Sequence, residues 1–174
     1  MNKLLAYFFL SCLVLSCHSA PEQMIFPENL EIIHQGNPPC LDCEEKAIIY
    51  LNYSKLSLYI FTDNIVKWKD FAASYPELSV RVYLAGEWKD GKRSPEEIRS
   101  FFEKRDFPYP VYLDPKDEFF EINQLKYVEL ENKGLLSFLV EGNRILEQYN
   151  LGMPNDRVGQ LEEHFGMKPI ESEE

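Results

Sequence analysis

The chain has 174 residues, 29 of them acidic and 18 basic, and a formal charge of −11. That balance argues against a nucleic-acid partner and against electrostatic attraction to anionic lipid. Twelve Phe, ten Tyr and two Trp supply ample apolar bulk for one folded domain, so a disordered body is excluded, and no internal repeat is visible.

Met1-Asn2-Lys3 is a short basic start, and Leu4 to Leu15 is an apolar run interrupted only by Ser11. The run is too short to span a bilayer and fits the apolar region of an export signal. It ends in Val14-Leu15-Ser16-Cys17, which resembles the lipobox of bacterial lipoproteins. The resemblance implies that residues 1–16 are a signal peptide. Cys17 would then receive lipid and tie the chain to a membrane of the cell envelope, several acyl chains each contributing about 0.8 kcal/mol per buried CH₂. Cys12 leaves with the signal, so Cys40 and Cys43 are the cysteines left for chemistry, a C-x-x-C pair in an oxidising compartment.

Further along, Leu30 to His34 reads as a short strand, and Gln35-Gly36-Asn37-Pro38-Pro39 as a loop. Ala47 to Leu51 and Leu56 to Thr62 read as strands joined at Tyr53-Ser54-Lys55. Asp63 to Tyr75 has helical spacing at Ile65, Trp68, Ala72 and Tyr75, with Asp63 as its cap and Pro76 as its stop. Ser79 to Ala85 alternates like a strand. Ser94-Pro95-Glu96-Glu97 predicts a capping box opening a helix with Ile98, Phe101 and Phe102 on its apolar face. Pro110 to Leu113 reads as a strand, and Lys116 to Gln124 as a short helix carrying Phe119, Phe120 and Ile122. Leu135 to Val140 and Ile145 to Tyr149 flank the hairpin turn Glu141-Gly142-Asn143-Arg144. A last helix is capped by Asn155 and stopped by Gly166. Strands alternating with helices predict an α/β fold, a central mixed sheet with helices on both faces and an antiparallel hairpin at one side.

That order resembles the thioredoxin-like proteins of the bacterial envelope, the thiol-reductase and alkyl-hydroperoxide-reductase-like group. The residues that carry the likeness are Leu58-Tyr59-Ile60-Phe61-Thr62, Trp68-Lys69-Asp70-Phe71, Phe107 to Asp114, and Ser137 to Leu146 followed by Gly152. The resemblance implies a thioredoxin-like domain over 45–168, preceded by a lipid-anchored tether and extension over 17–44 and followed by an acidic tail, 169–174. It also implies a C-x-x-C just after the first core strand, at the amino end of the next helix, where amides and dipole favour a thiolate. A cis-proline would face that dithiol just before the penultimate strand. With Leu58–Thr62 as the first core strand, the stretch that should hold the dithiol is Thr62 to Trp68, without cysteine. The proline place reads Lys133-Gly134-Leu135-Leu136-Ser137, without proline.

Cys40-Leu41-Asp42-Cys43 therefore stands outside the family's usual place. It could be a quiet disulfide, which closes a very short loop and adds little stability. It could be a displaced redox pair, with Cys40 attacking and Cys43 resolving. A hairpin about Ser54 would bring Cys43 beside the Asp63–Lys67 loop, although Asp42, Glu44 and Glu45 would raise the thiol pKa. A zinc or copper site would need further ligands, and His18, His34 and His164 are widely spaced. Asp114 before Pro115 reads as a strand-end turn residue that could also handle a proton, and Trp88 as an exposed contact residue. The expected function is a redox-degenerate binding or accessory protein, without cofactor or metal, held to the membrane through Cys17 and engaging an envelope protein. The alternative is an envelope thiol–disulfide oxidoreductase using Cys40 and Cys43.

Overall fold

The computed structural model describes residues 20–39, 43–86, 94–128 and 134–170. Its sheet is organised around β2 (Glu45–Asn52), in which every residue after Glu45 is buried. The reason is topological. β2 lies between β3 (Ser79–Ala85), to which it runs parallel, and β5 (Leu135–Glu141), to which it runs antiparallel. β4 (Val111–Asp114) continues the parallel set beside β3, β1 (Glu31–His34) closes one edge and β6 (Arg144–Gln148) the other. The order across the sheet is β1-β4-β3-β2-β5-β6.

Both faces are covered, as the sequence predicts. Ala47, Ile49 and Leu51 point into one core with Phe61, Trp68, Phe71, Ile98, Phe102 and Leu161. Helices α1 (Trp68–Ser74), α2 (Pro95–Glu103) and α4 (Pro154–Phe165) supply those partners. Ile48 and Tyr50 point into the other core with Met24, Tyr83, Phe119 and Phe138, where α3 (Glu118–Ile122) and the N-terminal segment form the cover. Each aromatic or branched side chain so buried contributes about 1.5–3 kcal/mol. Phe101, Phe102 and Phe119 are core residues.

Several local signals act as predicted. The Ser94 hydroxyl accepts from the Glu97 amide at 3.2 Å, and the Ser94 amide donates to the Glu97 carboxylate at 2.9 Å. Gly142 turns the β5–β6 hairpin and Gly166 ends α4, both at positive φ.

Three expectations are corrected. Leu56 to Thr62 is not a strand and forms no hairpin with Ala47–Leu51: the chain is helical over 58–65, with π geometry over Ile60–Ile65. Both edges of β2 are taken by β3 and β5, so no third strand can pair with it. The apolar residues obey a helical period instead, Leu58 and Phe61 fully buried while Tyr59 and Ile60 are exposed. The next helix accordingly starts at Trp68, and Asp63 lies inside the π segment, paired to Arg105 at 3.3 Å rather than capping. Asn155 does not cap α4. The cap position is Met153, without a side-chain bond, and Pro154 takes the first helical position, which its fixed φ suits.

The segment before β1 is packed onto the body. The Ile145 amide donates to Glu22 O at 2.9 Å, the Met24 amide to Asn143 O at 2.7 Å, and Met24 is buried. Asn123 holds the Ile25 backbone on both sides, accepting from its amide at 2.6 Å and donating to its carbonyl at 2.8 Å.

Candidate functional site

The place to look for chemistry is the carboxyl end of the parallel strands, where β2 passes into the helical stretch 58–65. Five residues make this turn: Tyr53-Ser54-Lys55-Leu56-Ser57. Asn52 organises it. Its carbonyl accepts from the Lys55 and Leu56 amides, both at 3.0 Å, and its side-chain oxygen accepts from the Ser54 amide at 3.1 Å. The Ser57 hydroxyl accepts from the Tyr59 amide at 3.3 Å and its carbonyl from Phe61 at 3.1 Å, so Ser57 opens the helix as a hydroxyl cap does. Gly86, at φ +108, closes the turn from the end of β3. A Cβ there would lie 2.6 Å from both Asn52 Oδ1 and Ser54 Oγ.

Beneath the turn lies a short polar chain. The Asn52 amide group donates to Tyr50 Oη at 3.2 Å, and Tyr50 Oη donates to Asp117 Oδ1 at 2.8 Å. Burial, with the Asp117 carboxylate beside it, pushes the Tyr50 phenol well above its ordinary pKa. Burial also raises Asp117, and the bond from Tyr50 partly offsets that rise. Phe120 tilts against Tyr50 with ring centroids 5.1 Å apart, and Lys55 Nζ sits 5.9 Å above the same Phe120 ring. Asp114, fully buried, is used structurally: its two oxygens accept from the Glu118 and Phe119 amides, each at 2.8 Å, and so hold the start of α3.

No protein-family model matches the chain, and no curated protein matches it in sequence. Solved structures are similar to it in fold. An uncharacterized conserved protein from Geobacillus kaustophilus is similar over 88% of this chain and 86% of its own, with a TM-score of 0.56 and 13% identity. A thioredoxin-like protein solved in its oxidized form is similar over 82% of this chain and 95% of its own, with a TM-score of 0.52 and 13% identity. The fold is thioredoxin-like.

Within that fold, β2 is the first core strand, so the family resemblance puts a dithiol at residues 53–57 rather than at 62–68. That turn contains no cysteine either. What it does contain is Ser54 and Ser57, two hydroxyls at the spacing of C-x-x-C. Sequence reasoning missed this pair because Leu56–Thr62 was read as the strand, which moved the site one element too far along. The signal was legible as S-x-x-S directly after a continuous apolar run. The cis-proline place also falls beside the turn: Leu51 is paired with Leu135, and the Asn52 amide donates to Gly134 O at 2.8 Å. No cis peptide occurs among the described residues.

Cys43 lies at the opposite end of β2. The strand between Glu45 and Asn52 spans roughly 25 Å at the usual rise per residue. Cys43 is disulfide-bonded, and the other cysteines, Cys12, Cys17 and Cys40, lie outside the described residues. The expected approach of Cys43 to the Asp63–Lys67 loop rested on the hairpin and is withdrawn with it. The neighbours of Cys43 are instead at the β5–β6 turn, where the Gly142 amide donates to Glu44 O at 2.9 Å. On β1, His34 Nε2 lies 2.7 Å from Phe107 O, and on α4, His164 pairs with Glu147 of β6 at 3.0 Å. Among the described residues no cluster of three His, Cys, Asp or Glu side chains could hold a metal ion, and no helix is long and apolar enough to cross a membrane. His18 and Trp88 lie outside the described residues.

Proposed function

We propose that this chain is a lipid-anchored envelope protein that keeps the thioredoxin-like scaffold without its exchange chemistry and works by binding, as an accessory to another envelope protein. The observation that supports this reading is the turn at 53–57, which follows the central strand β2 and holds Ser54 and Ser57 at the C-x-x-C spacing and no cysteine. A serine hydroxyl at neutral pH forms neither the thiolate nor the disulfide on which exchange depends. In this reading residues 1–16 are removed as a signal and Cys17 carries the lipid.

The anchor would also orient the body. From Cys17 to Glu22, the first residue tied to the β5–β6 hairpin, the chain reaches at most roughly 18 Å. The hairpin end of the sheet would then stay near the bilayer, and the serine turn, about 25 Å of strand away, would face outward toward a partner.

The test is a disulfide-reductase assay on the lipidated chain, its Cys40→Ser variant and a Ser54→Cys/Ser57→Cys double variant. No turnover for the first two, with turnover appearing in the third, is the expected outcome. Turnover in the native chain that disappears in Cys40→Ser would replace the accessory reading with the oxidoreductase one.

A further inference from the structure

Tyr59 and Ile60 stand apart from the other apolar side chains at the surface. Six large ones are exposed among the described residues, and these two alone are neighbours in the chain, 50% and 42% exposed. Apolar residues exposed singly are ordinary, whereas adjacent ones on one helical turn form a patch. They follow Ser57 by two and three residues, where the stretch 58–65 passes into π geometry at Ile60, a distortion that recurs at functional sites.

Arg105 is fixed beside them. Its guanidinium lies 3.9 Å from the Phe101 ring centroid and 4.7 Å from that of Tyr59, and the two rings meet edge to face at 5.0 Å. Its Nε donates to Asp63 Oδ1 and its Nη1 to Phe101 O, both at 3.3 Å. A guanidinium has five N–H donors. Among the described residues the other three, on Nη1 and Nη2, have no partner, and the side chain keeps 26% of its surface open. A cleft of about 320 Å³ adjoins it, with Asp63, Lys67, Lys69, Asp70 and Asp106 in its wall beside Arg105. Three cations and three carboxylates leave that wall neutral in a chain of charge −11. A carboxylate is therefore repelled less here than by the protein as a whole.

We propose that Tyr59, Ile60 and Arg105 form a docking surface for a protein segment that presents a large apolar side chain beside a carboxylate. The apolar group covers Tyr59 and Ile60, and the carboxylate accepts from the open Nη1 and Nη2 donors. Tyr and Arg are enriched among the residues that dominate protein interfaces, and here both are held in place before a partner arrives, which lowers the ordering cost of binding. A segment without an acceptor would cover those donors and leave them unsatisfied. A bilayer is not the occupant in the proposed orientation, which holds this end of the sheet away from the membrane. The inference rests on the accessory reading and names the chemistry that its partner brings.

The experiment probes the full chain against an immobilised array of acetylated Gly/Ser heptapeptides with a central pair X-Z, where X is Phe, Leu or Ala and Z is Asp, Asn or Lys. Binding is expected for Phe-Asp and Leu-Asp, and should fall about tenfold when Asn or Lys replaces Asp, or Ala replaces X. Arg105→Gln should abolish the preference for Asp over Asn. Ile60→Ser, at an exposed position, should weaken Phe-Asp binding about fivefold and keep that preference. Absence of binding, equal binding of Asp and Asn peptides, or Ile60→Ser binding as tightly as the native chain each overturns the proposal, whether or not Arg105→Gln folds. Disulfide-reductase turnover on the same samples separates the two readings. No Asp preference in a chain without turnover overturns this surface and leaves the accessory reading standing, whereas turnover in the native chain overturns the accessory reading by itself.

Discussion

The two ends of β2 make an instructive pair. At its amino end sits Cys43, oxidised, beside a hairpin turn and a run of carboxylates. At its carboxyl end sits a turn with the backbone geometry to launch a helix, an amide-rich setting, a closely packed glycine and two hydroxyls. One end has a sulfur, and the other has hydroxyls at the start of a helix. A thiolate needs low pKa and access together, and here a full strand length separates the two requirements.

The scaffold end can be broken most severely at Gly86. Gly86→Ala forces a side chain into positive φ and against Asn52 Oδ1 and Ser54 Oγ, and should cost about 3 kcal/mol in urea unfolding. A loss below about 1 kcal/mol would mean that the turn gives way easily and is not a rigid platform. The sulfur end should matter less. If the partner of Cys43 is Cys40, as the C-x-x-C spacing suggests, the bond closes a loop of a few residues and its reduction should cost at most about 2 kcal/mol; a larger loss would point to a longer loop and another partner.

Tyr50→Phe tests whether the polar chain under the turn contributes. It removes the donor to Asp117 and the acceptor for Asn52, and should cost about 1 kcal/mol without changing the unfolding cooperativity. The smallest effect is in pH. Because burial raises the Asp117 pKa above its ordinary value of 3.8, the native state holds that proton more tightly than the unfolded chain does. Stability should therefore fall as pH climbs from about 3.8 through the raised value, and then level off. Asp117→Asn should remove this falling limb, measured as denaturation midpoints across the acid range; an unchanged profile would assign the limb to other carboxylates.

How much of this was legible beforehand depends on the range of the interaction responsible. Ser94–Glu97 was read correctly because a capping box is complete within four residues, and Gly142 and Gly166 because positive φ is a local demand. Leu56–Thr62 was misread because Leu, Tyr, Ile, Phe and Thr favour strands in isolation. What made the segment helical was occupancy, with β3 and β5 already on both sides of β2. That single error displaced the site and hid Ser54 and Ser57.

From the sequence alone came the α/β class, the alternation of elements, the helix stops and the absence of cysteine after any candidate core strand, since each rests on neighbouring residues or on simple inventory. Only the tertiary structure decided which strand is central and that Cys43 and the serine turn lie at opposite ends of it. Those are consequences of strand pairing and of packing between distant segments, where contacts many residues apart outweigh local preference.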